Sequence, residues 1–422
     1  MKDLKKFLLY ILGSKLVILG FLIYFLFNIS ALKTNWLDFF FFGSSLHYCC
    51  QGIDFYGIPN GVYSFINGGE LSGANLPESI KPYSSNTLSN PNDYHPITAL
   101  IIGSMIIIFD PNLSFYYWMI VKILITIPIV YYLYKNFSDN KFINLAIFIF
   151  LANFSQYSEI RISQYQFIFN ISLLLLLISL VKKKEELERG ILFFLTLIAK
   201  PISLLFFPVL IIKKYYIPAI LGISIFLAST TTFNVLNIGN YFTDNLAYHL
   251  LNPKEGKSID FMSLEAFLRY TFNVSPDFIK YLKYITLISI YLMAFNKKTH
   301  VLTLIFLLSA YFLFFYDHLF QYHFSILGAV LPICLLTLPN FQTRLVKILI
   351  LTTCIPTVFF LLRLLNFEFI MDPVYGPNPT INGWQITSFF QLLPVVILSV
   401  IIFIKEIPLP KIGTIKNLKW IK

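Results

Sequence analysis

Charge is scarce in this chain. Asp, Glu, Lys and Arg supply 13% of its 422 residues, about half the share of an ordinary soluble domain. Cysteine is scarcer: of four, Cys49 and Cys50 are adjacent while Cys334 and Cys354 lie in apolar stretches, which excludes a disulfide framework and reads as small apolar filling. The six histidines show no spacing of three or four zinc ligands. No basic stretch is interleaved with aromatics on a polar module, so nucleic acid is not an expected partner despite a net charge of +11. A soluble enzyme, a disulfide scaffold and a disordered chain are all excluded.

What fills the chain instead is apolar. Hydrophobic residues make up 57% and aromatics 18%, the mean hydropathy is +0.72, and the charges cluster between apolar runs near the ~20 residues that cross a bilayer core as a helix. The fold class is therefore an all-α polytopic membrane protein. Phe7–Ile29, after Lys2, Lys5 and Lys6, is too long for a signal-peptide core and reads as one uncleaved first helix with its amino end in the cytoplasm. Further spans are expected near 113–134, 142–155, 165–181, 190–212, 216–234, 279–296, 299–316, 322–338, 345–365 and 386–404. Pro96–Phe109 is short for a span and is expected along the outer interface; whether it spans or lies on the membrane stays open. The 190–212 segment has Arg189 before it, Lys213-Lys214 after it and Lys200-Pro201 at its centre. Basic residues at both ends predict a pair of half-helices broken at Lys200-Pro201, both ends facing the cytoplasm.

With these spans, 20 of the 32 Lys and Arg fall inside, eight outside and four within the membrane, as the positive-inside rule expects. The whole of 1–422 reads as one integral membrane unit: a first outer loop over 33–112, a helical module over 113–234, a second outer loop over 235–278 and a C-terminal helical module over 279–422. The charge pattern predicts both termini in the cytoplasm, and the Lys-, Asn-, Ile- and Phe-rich usage suggests an AT-rich bacterial genome, so the expected location is a bacterial cytoplasmic membrane. Long polar loops on the outer face are where binding or catalysis is expected.

Asp38 lies in Trp36-Leu37-Asp38-Phe39-Phe40, and apolar neighbours would raise its pKa toward that of a proton acceptor; an N-cap is the equal alternative. Gly52-Ile53-Asp54-Phe55-Tyr56 is turn-rich, and His95 precedes Pro96; His95 could bond a substrate hydroxyl or phosphate or, with Tyr94, join an interfacial aromatic belt. Arg161, Gln164 and Gln166 crowd one outer helix mouth, a set suited to a phosphate or to simple snorkelling. Lys200, inside an apolar run, must find a partner, either a lipid phosphate or a backbone carbonyl. His318 and His323 flank Leu319-Phe320-Gln321-Tyr322 and suit carbohydrate or phosphate contact better than metal.

In order along the chain, these motifs resemble glycosyltransferase family 87, the GT-C-type transferases that use polyprenyl-phosphate sugars. Asp38 with Gly52-Ile53-Asp54-Phe55-Tyr56 resembles the family's acidic residue and Gly-x-Asp-Pro-Tyr; Tyr94-His95-Pro96 resembles Tyr-x-Pro-Pro; Ser163-Gln164-Tyr165-Gln166 resembles Gly-Gln-x-Asn. Lys200-Pro201 resembles its Lys-Pro, and Gln321-Tyr322-His323 its His-His-Tyr. Phe55, Ser163 and Gln166 stand where proline, glycine and asparagine are usual. The resemblance implies a GT-C fold of about 11–12 transmembrane helices with an outer-face cavity. It also implies inverting transfer of a mannose-like hexose or a pentose from a polyprenyl phosphate to a glycan or glycolipid acceptor. In that reading Asp38 is the base; Lys200, Arg161 and His323 face the leaving phosphate; Asp54, Tyr56, His95, Gln164, Gln166 and His318 contact substrate. No metal or other cofactor is expected, and the remaining partners are membrane lipids. The rivals are a transporter or flippase of lipid-linked sugars, and a polysaccharide polymerase or O-antigen-ligase-like protein.

Overall fold

A computed structural model describes residues 2–34, 37, 55–71, 94–163, 165–236, 238, 263–316, 319, 321–355 and 383–406. Every regular element among them is helical. In chain order they are α1 (Lys2–Gly13), α2 (Lys15–Ile29) with a π-turn over Ser30–Thr34, α3 (Gly57–Ile66), α4 (Pro96–Ile106) and α5 (Pro111–Phe137). Next come α6 (Ile143–Ala152), α7 (Ser155–Ile162), α8 (Gln166–Val181), α9 (Glu186–Ala199), a 3₁₀ turn over Pro201–Leu205 and α10 (Phe206–Ile212). The remainder are α11 (Tyr216–Val235), α12 (Leu264–Phe272), α13 (Pro276–Phe295), α14 (Val301–Phe315), a 3₁₀ turn over Gln321–Ser325 and α15 (Ile326–Thr337). A last 3₁₀ turn (Pro339–Gln342), α16 (Arg344–Thr352) and α17 (Gly383–Glu406) complete the set.

Four described helices are long and apolar enough to cross a membrane by length and composition: Lys15–Lys33, Leu113–Phe137, Tyr216–Val235 and Pro276–Phe295. These define an α-helical membrane protein. They are also the less buried elements, with between 22% and 44% of each apolar window inside the molecule. The shorter apolar helices make the centre. In α14 every residue but Tyr311 is buried, and α15 is buried from Ile326 to Leu336. A helix apolar on all sides has no face to give to water and belongs inside. Helices α6 and α8 pack on α15, and α9 packs on both α8 and α11.

The first span differs from the expectation. Phe7–Ile29 is not one helix: Ser14 has extended backbone (φ −109°, ψ 102°) and its hydroxyl accepts from the Val17 amide, starting a second helix at Lys15. A serine side chain competes with the helical ladder in this way and serves as an N-cap. The span thus begins at Lys15, and α1 is a separate element. The expected break at Lys200-Pro201 is present: α9 ends at Ala199, Lys200 is extended (φ −153°, ψ 124°), and a proline-led 3₁₀ turn precedes α10.

Side-chain clasps tie the basic turns together at one end of the bundle. Asn140, between α5 and α6, donates to the Leu336 carbonyl at 2.7 Å. Lys213, after α10, donates to the Asn296 carbonyl after α13 at 2.7 Å, and Asn340 donates to Glu406 at 3.0 Å. Lys182 lies 4.4 Å from the Phe137 ring and Lys347 5.1 Å from that of Phe142. Both ends of the broken pair therefore reach this basic end, Glu186 and Arg189 through the turn after α8 and Lys213 through Asn296. Helices α9 and α11 meet where glycines face side chains: a Cβ on Gly222 would come within 2.6 Å of the Phe193 ring, and one on Gly190 within 2.6 Å of Leu221. Small residues are what let helices approach closely without a water-driven hydrophobic force.

Candidate functional site

At the opposite end of the bundle the polar residues converge. The chain there runs from α2 through its π-turn, and Leu37 donates its amide to Ser30 at 3.2 Å. Ser30 in turn meets the Tyr157 hydroxyl of α7 at 3.4 Å. Helix α7 and the 3₁₀ turn 321–325 pack on each other, bringing the Arg161 region beside Tyr322 and His323. The break after α9 comes to the same place: Lys200 Nζ stands 5.2 Å over the Tyr322 ring and within electrostatic reach of Glu159.

Among the expected residues, Arg161 is buried at 3% exposure rather than snorkelling, and donates to the Ala31 carbonyl at 3.4 Å. His323 is enclosed by the rings of Phe312, Tyr316 and Tyr322, with centroids 5.4, 5.5 and 4.2 Å away. Gln166 donates to Asn170 at 3.1 Å, and Asn170 to Ser325 at 2.7 Å, which ties α8 to the 321–325 turn. Tyr56 is buried against Phe55, whose carbonyl accepts from the Tyr165 hydroxyl at 3.0 Å. Asp38, Asp54, Gln164 and His318 lie outside the described residues.

His95 is fully buried and helps to hold helices together. Its Nδ1 accepts the Ile97 amide at 3.2 Å, capping α4, and its Nε2 lies 3.1 Å from the Thr230 hydroxyl on α11. If Nδ1 accepts, Nε2 carries the hydrogen and donates to Thr230. Burial pushes its pKa from 6.5 down to about 4, so the neutral tautomer dominates near neutral pH. Thr98, one turn on, donates to the Ile198 carbonyl at 2.9 Å, fastening α4 to the end of α9 just before Lys200.

One feature escaped the sequence reading. Lys122 on α5 donates to Glu159 of α7 at 2.9 Å, with side chains 1% and 0% exposed, and to Ser163 Oγ at 3.2 Å. Ser163 passes its own hydrogen toward the Met119 sulfur at 3.7 Å. Ser163 ends α7 in the left-handed conformation (φ 56°, ψ 43°), a position that favours glycine; glycine is what the resembled motif carries there. The signal for the pair was available: Lys122 sits in an apolar run and needs a partner, and Glu159 is the one acidic residue in 143–181.

The junction also holds buried polar atoms with no hydrogen-bond partner among the described residues. They include Ser155 Oγ, Ser158 Oγ and Glu159 Oε2 on α7, Gln166 Oε1 on α8, and both amide atoms of Gln321. Burial pushes the pKa of the Glu159 carboxyl up, and Lys122, the Phe167 amide and Lys200 pull against it. An unpaired buried polar atom costs about 1–3 kcal/mol, so these positions carry an energetic reason to take up water or ligand. A nearby cavity bounded by Tyr24, Thr126, Gln156 and Asn170 has about 10 Å³, room for one water molecule and not for a sugar. Among the described residues no group of three or more His, Cys, Asp and Glu could hold a metal ion. Comparison of the chain with family models, with curated proteins and with solved structures finds no match.

Proposed function

We propose that this chain is a membrane glycosyltransferase with a GT-C-type helical arrangement, moving a hexose or pentose from a polyprenyl phosphate to a glycan or glycolipid acceptor. Its site lies at the polar end of the bundle, on the outer face of a bacterial cytoplasmic membrane. The observation that carries this reading is the placement of Lys200. It stands at a helix break, over the Tyr322 ring, near a short helix in which Ser155 Oγ, Ser158 Oγ and Glu159 Oε2 find no partner among the described residues. A fixed cation at such a break suits an anionic leaving group, and aromatic rings beside it suit a sugar face.

In this mechanism Asp38 takes the proton of the acceptor hydroxyl, the oxygen attacks the anomeric carbon, and the C–O bond to the lipid phosphate breaks with inversion. Lys200, with Arg161 and His323 behind it, stabilises the charge on the departing phosphate. Asp54, Tyr56, Gln164, Gln166 and His318 shape the pocket, while His95 acts by holding α4 against α11. The test is transfer in membranes, comparing polyprenyl-phosphate sugars with nucleotide sugars. The parent should use only the former; Asp38→Asn and Lys200→Gln should lose transfer while remaining inserted and folded. Activity with nucleotide sugars alone, or full activity of Asp38→Asn, would overturn the assignment.

The buried Lys122–Glu159 pair favours a second reading, a transporter or flippase, because ion pairs inside a membrane bundle often mark pathways. Proteoliposomes loaded with lipid-linked sugar separate the two: protein-dependent translocation without any acceptor supports transport.

A further inference from the structure

Helix α1 is not part of the first span, and its geometry assigns it another place. The span from Lys15 to Lys33 has 19 residues, roughly 29 Å at 1.5 Å per residue, which already crosses a bilayer core of about 30 Å. Continuing α1 in line would add 12 residues, about 18 Å of helix that no bilayer core could hold. Instead the chain bends at the extended, hydroxyl-capped Ser14.

The sides of α1 differ. One side faces the bundle: Phe7 is buried against Tyr131 and Tyr134 at the carboxyl end of α5, with centroids 5.1 and 5.4 Å away. Tyr10 stacks on Tyr134 at 4.3 Å and its hydroxyl donates to Asn144 of α6. These contacts fix α1 at the basic end. A second side presents Leu4, Leu8 and Leu12, one residue per turn, at 56%, 53% and 73% exposure. Lys5 borders that stripe and Lys6 lies beyond it, both exposed, with Leu9 (61% exposed) between them; Lys15 is exposed at the head of the span and Lys135 and Lys141 are exposed nearby. An apolar stripe, a cationic flank and a bend at the membrane boundary are the features of a helix lying in the interface plane.

We propose that α1 is an in-plane helix that sinks Leu4, Leu8 and Leu12 into the leaflet at the basic end and binds the headgroups of anionic phospholipids through Lys5, Lys6 and Lys15. The occupant is argued from charge: three exposed lysines lie near the leucine stripe, and each lysine near an anionic surface strengthens binding roughly fivefold. The lipid would be an anionic glycerophospholipid, recognised by its phosphate and negative charge.

The test uses the full chain in nanodiscs of phosphatidylcholine, with and without phosphatidylglycerol, read by hydroxyl-radical labelling of leucine side chains. In discs containing phosphatidylglycerol, Leu4, Leu8 and Leu12 should be protected to the level of Leu22, an exposed residue of the span. In the triple variant Lys5→Gln/Lys6→Gln/Lys15→Gln, or without the anionic lipid, labelling of the three should rise at least tenfold while Leu22 stays protected. Full labelling of the three leucines in every disc would overturn the proposal. Equal protection in the variant and in pure phosphatidylcholine would overturn the headgroup role. Protection that appears only with a dimer on sizing would assign the stripe to a second copy of the chain instead.

Discussion

Removing one member of the Lys122–Glu159 pair should be far worse than removing both. Lys122→Met leaves the Glu159 carboxyl buried with no cation bonded to it; Glu159→Gln leaves the Lys122 ammonium with neutral acceptors only, the new amide oxygen and the Ser163 hydroxyl. Breaking a buried ion pair from one side costs about 3–5 kcal/mol because a charge is stranded, roughly two to four orders of magnitude in the folding equilibrium. Both side chains are buried, so the low values of solvent-screened surface pairs do not apply. The double variant Lys122→Met/Glu159→Gln carries no buried charge, and Ser163 keeps its contact with the Met119 sulfur. It should recover most of the loss, giving a coupling of at least about 2 kcal/mol in a double-mutant cycle. The assay is unfolding of the four proteins in one mild detergent, followed by helical circular dichroism against denaturant or temperature. Single variants as stable as the parent, or a double variant as unstable as the sum of the singles, would refute the stranded-charge argument.

Three further outcomes follow from other parts of the structure. Ser163→Gly should be near neutral, because relief of the left-handed backbone (about 1–2 kcal/mol) offsets the lost hydroxyl bond, whereas Ser163→Ala should cost about 1 kcal/mol with no relief; the order of their melting temperatures checks this. Gly222→Val should cost about 1–3 kcal/mol, since the added carbons meet Phe193 and lie 3.1 Å from the Gly190 carbonyl oxygen; loss of monodisperse protein on sizing is the readout. His95, with a pKa lowered from 6.5 to about 4, adds no pH dependence above 6.5, where both folded and unfolded forms are neutral. As pH falls from 6.5 toward 4 the unfolded chain gains a proton that the folded one refuses, so stability drops across that window. His95→Asn, which caps but does not titrate, should flatten that part of the profile; an unchanged acid slope would place its origin elsewhere.

The helical, membrane-type character of the chain was legible because burial in a bundle and burial in lipid both leave apolar runs between polar turns. For the same reason the runs do not tell a spanning helix from a buried core helix: four described helices are long and apolar enough to span. The break at Lys200-Pro201 was legible for a sharper reason: basic residues at both ends of one apolar run cannot be reconciled with a single crossing. The bend at Ser14 was not, since a serine inside a run weighs little on any hydropathy count, and its effect comes from one hydroxyl accepting one amide. Local chemistry pointed to Arg161, Lys200 and His323, and the structure brings their segments together, with Tyr322 between Lys200 and His323. It could not foresee that His95 spends both ring nitrogens on helix capping and on Thr230, because Thr230 lies 135 residues away. The Lys122–Glu159 pair was half legible: the lysine's need was visible, while its partner's position depended on α7 folding back across α5.

The same pair offers a way to tell the two functional readings apart. Glu159 lies between Lys122, which it bonds, and Lys200, which it reaches electrostatically. A carboxylate shared between two cations offsets part of the charge of each. With Lys122 taking the hydrogen bond, less of Lys200's charge is offset by Glu159, and more of it bears on an anion arriving at the helix break. A glycosyltransferase needs the charge on Lys200 to stay fixed, since preorganised charge is what lowers its barrier. A transporter needs a charged element that changes partners as the bundle alternates. The neutral double variant Lys122→Met/Glu159→Gln therefore separates them once its folding has been verified. Lys200 keeps its charge in that variant, so sugar transfer should persist within about tenfold of the parent. Translocation driven by exchange of the ion pair should vanish. Loss of transfer in the folded double variant, with Lys200 intact, would show that the pair itself takes part in the reaction and would remove the argument that it only tunes the field at the break.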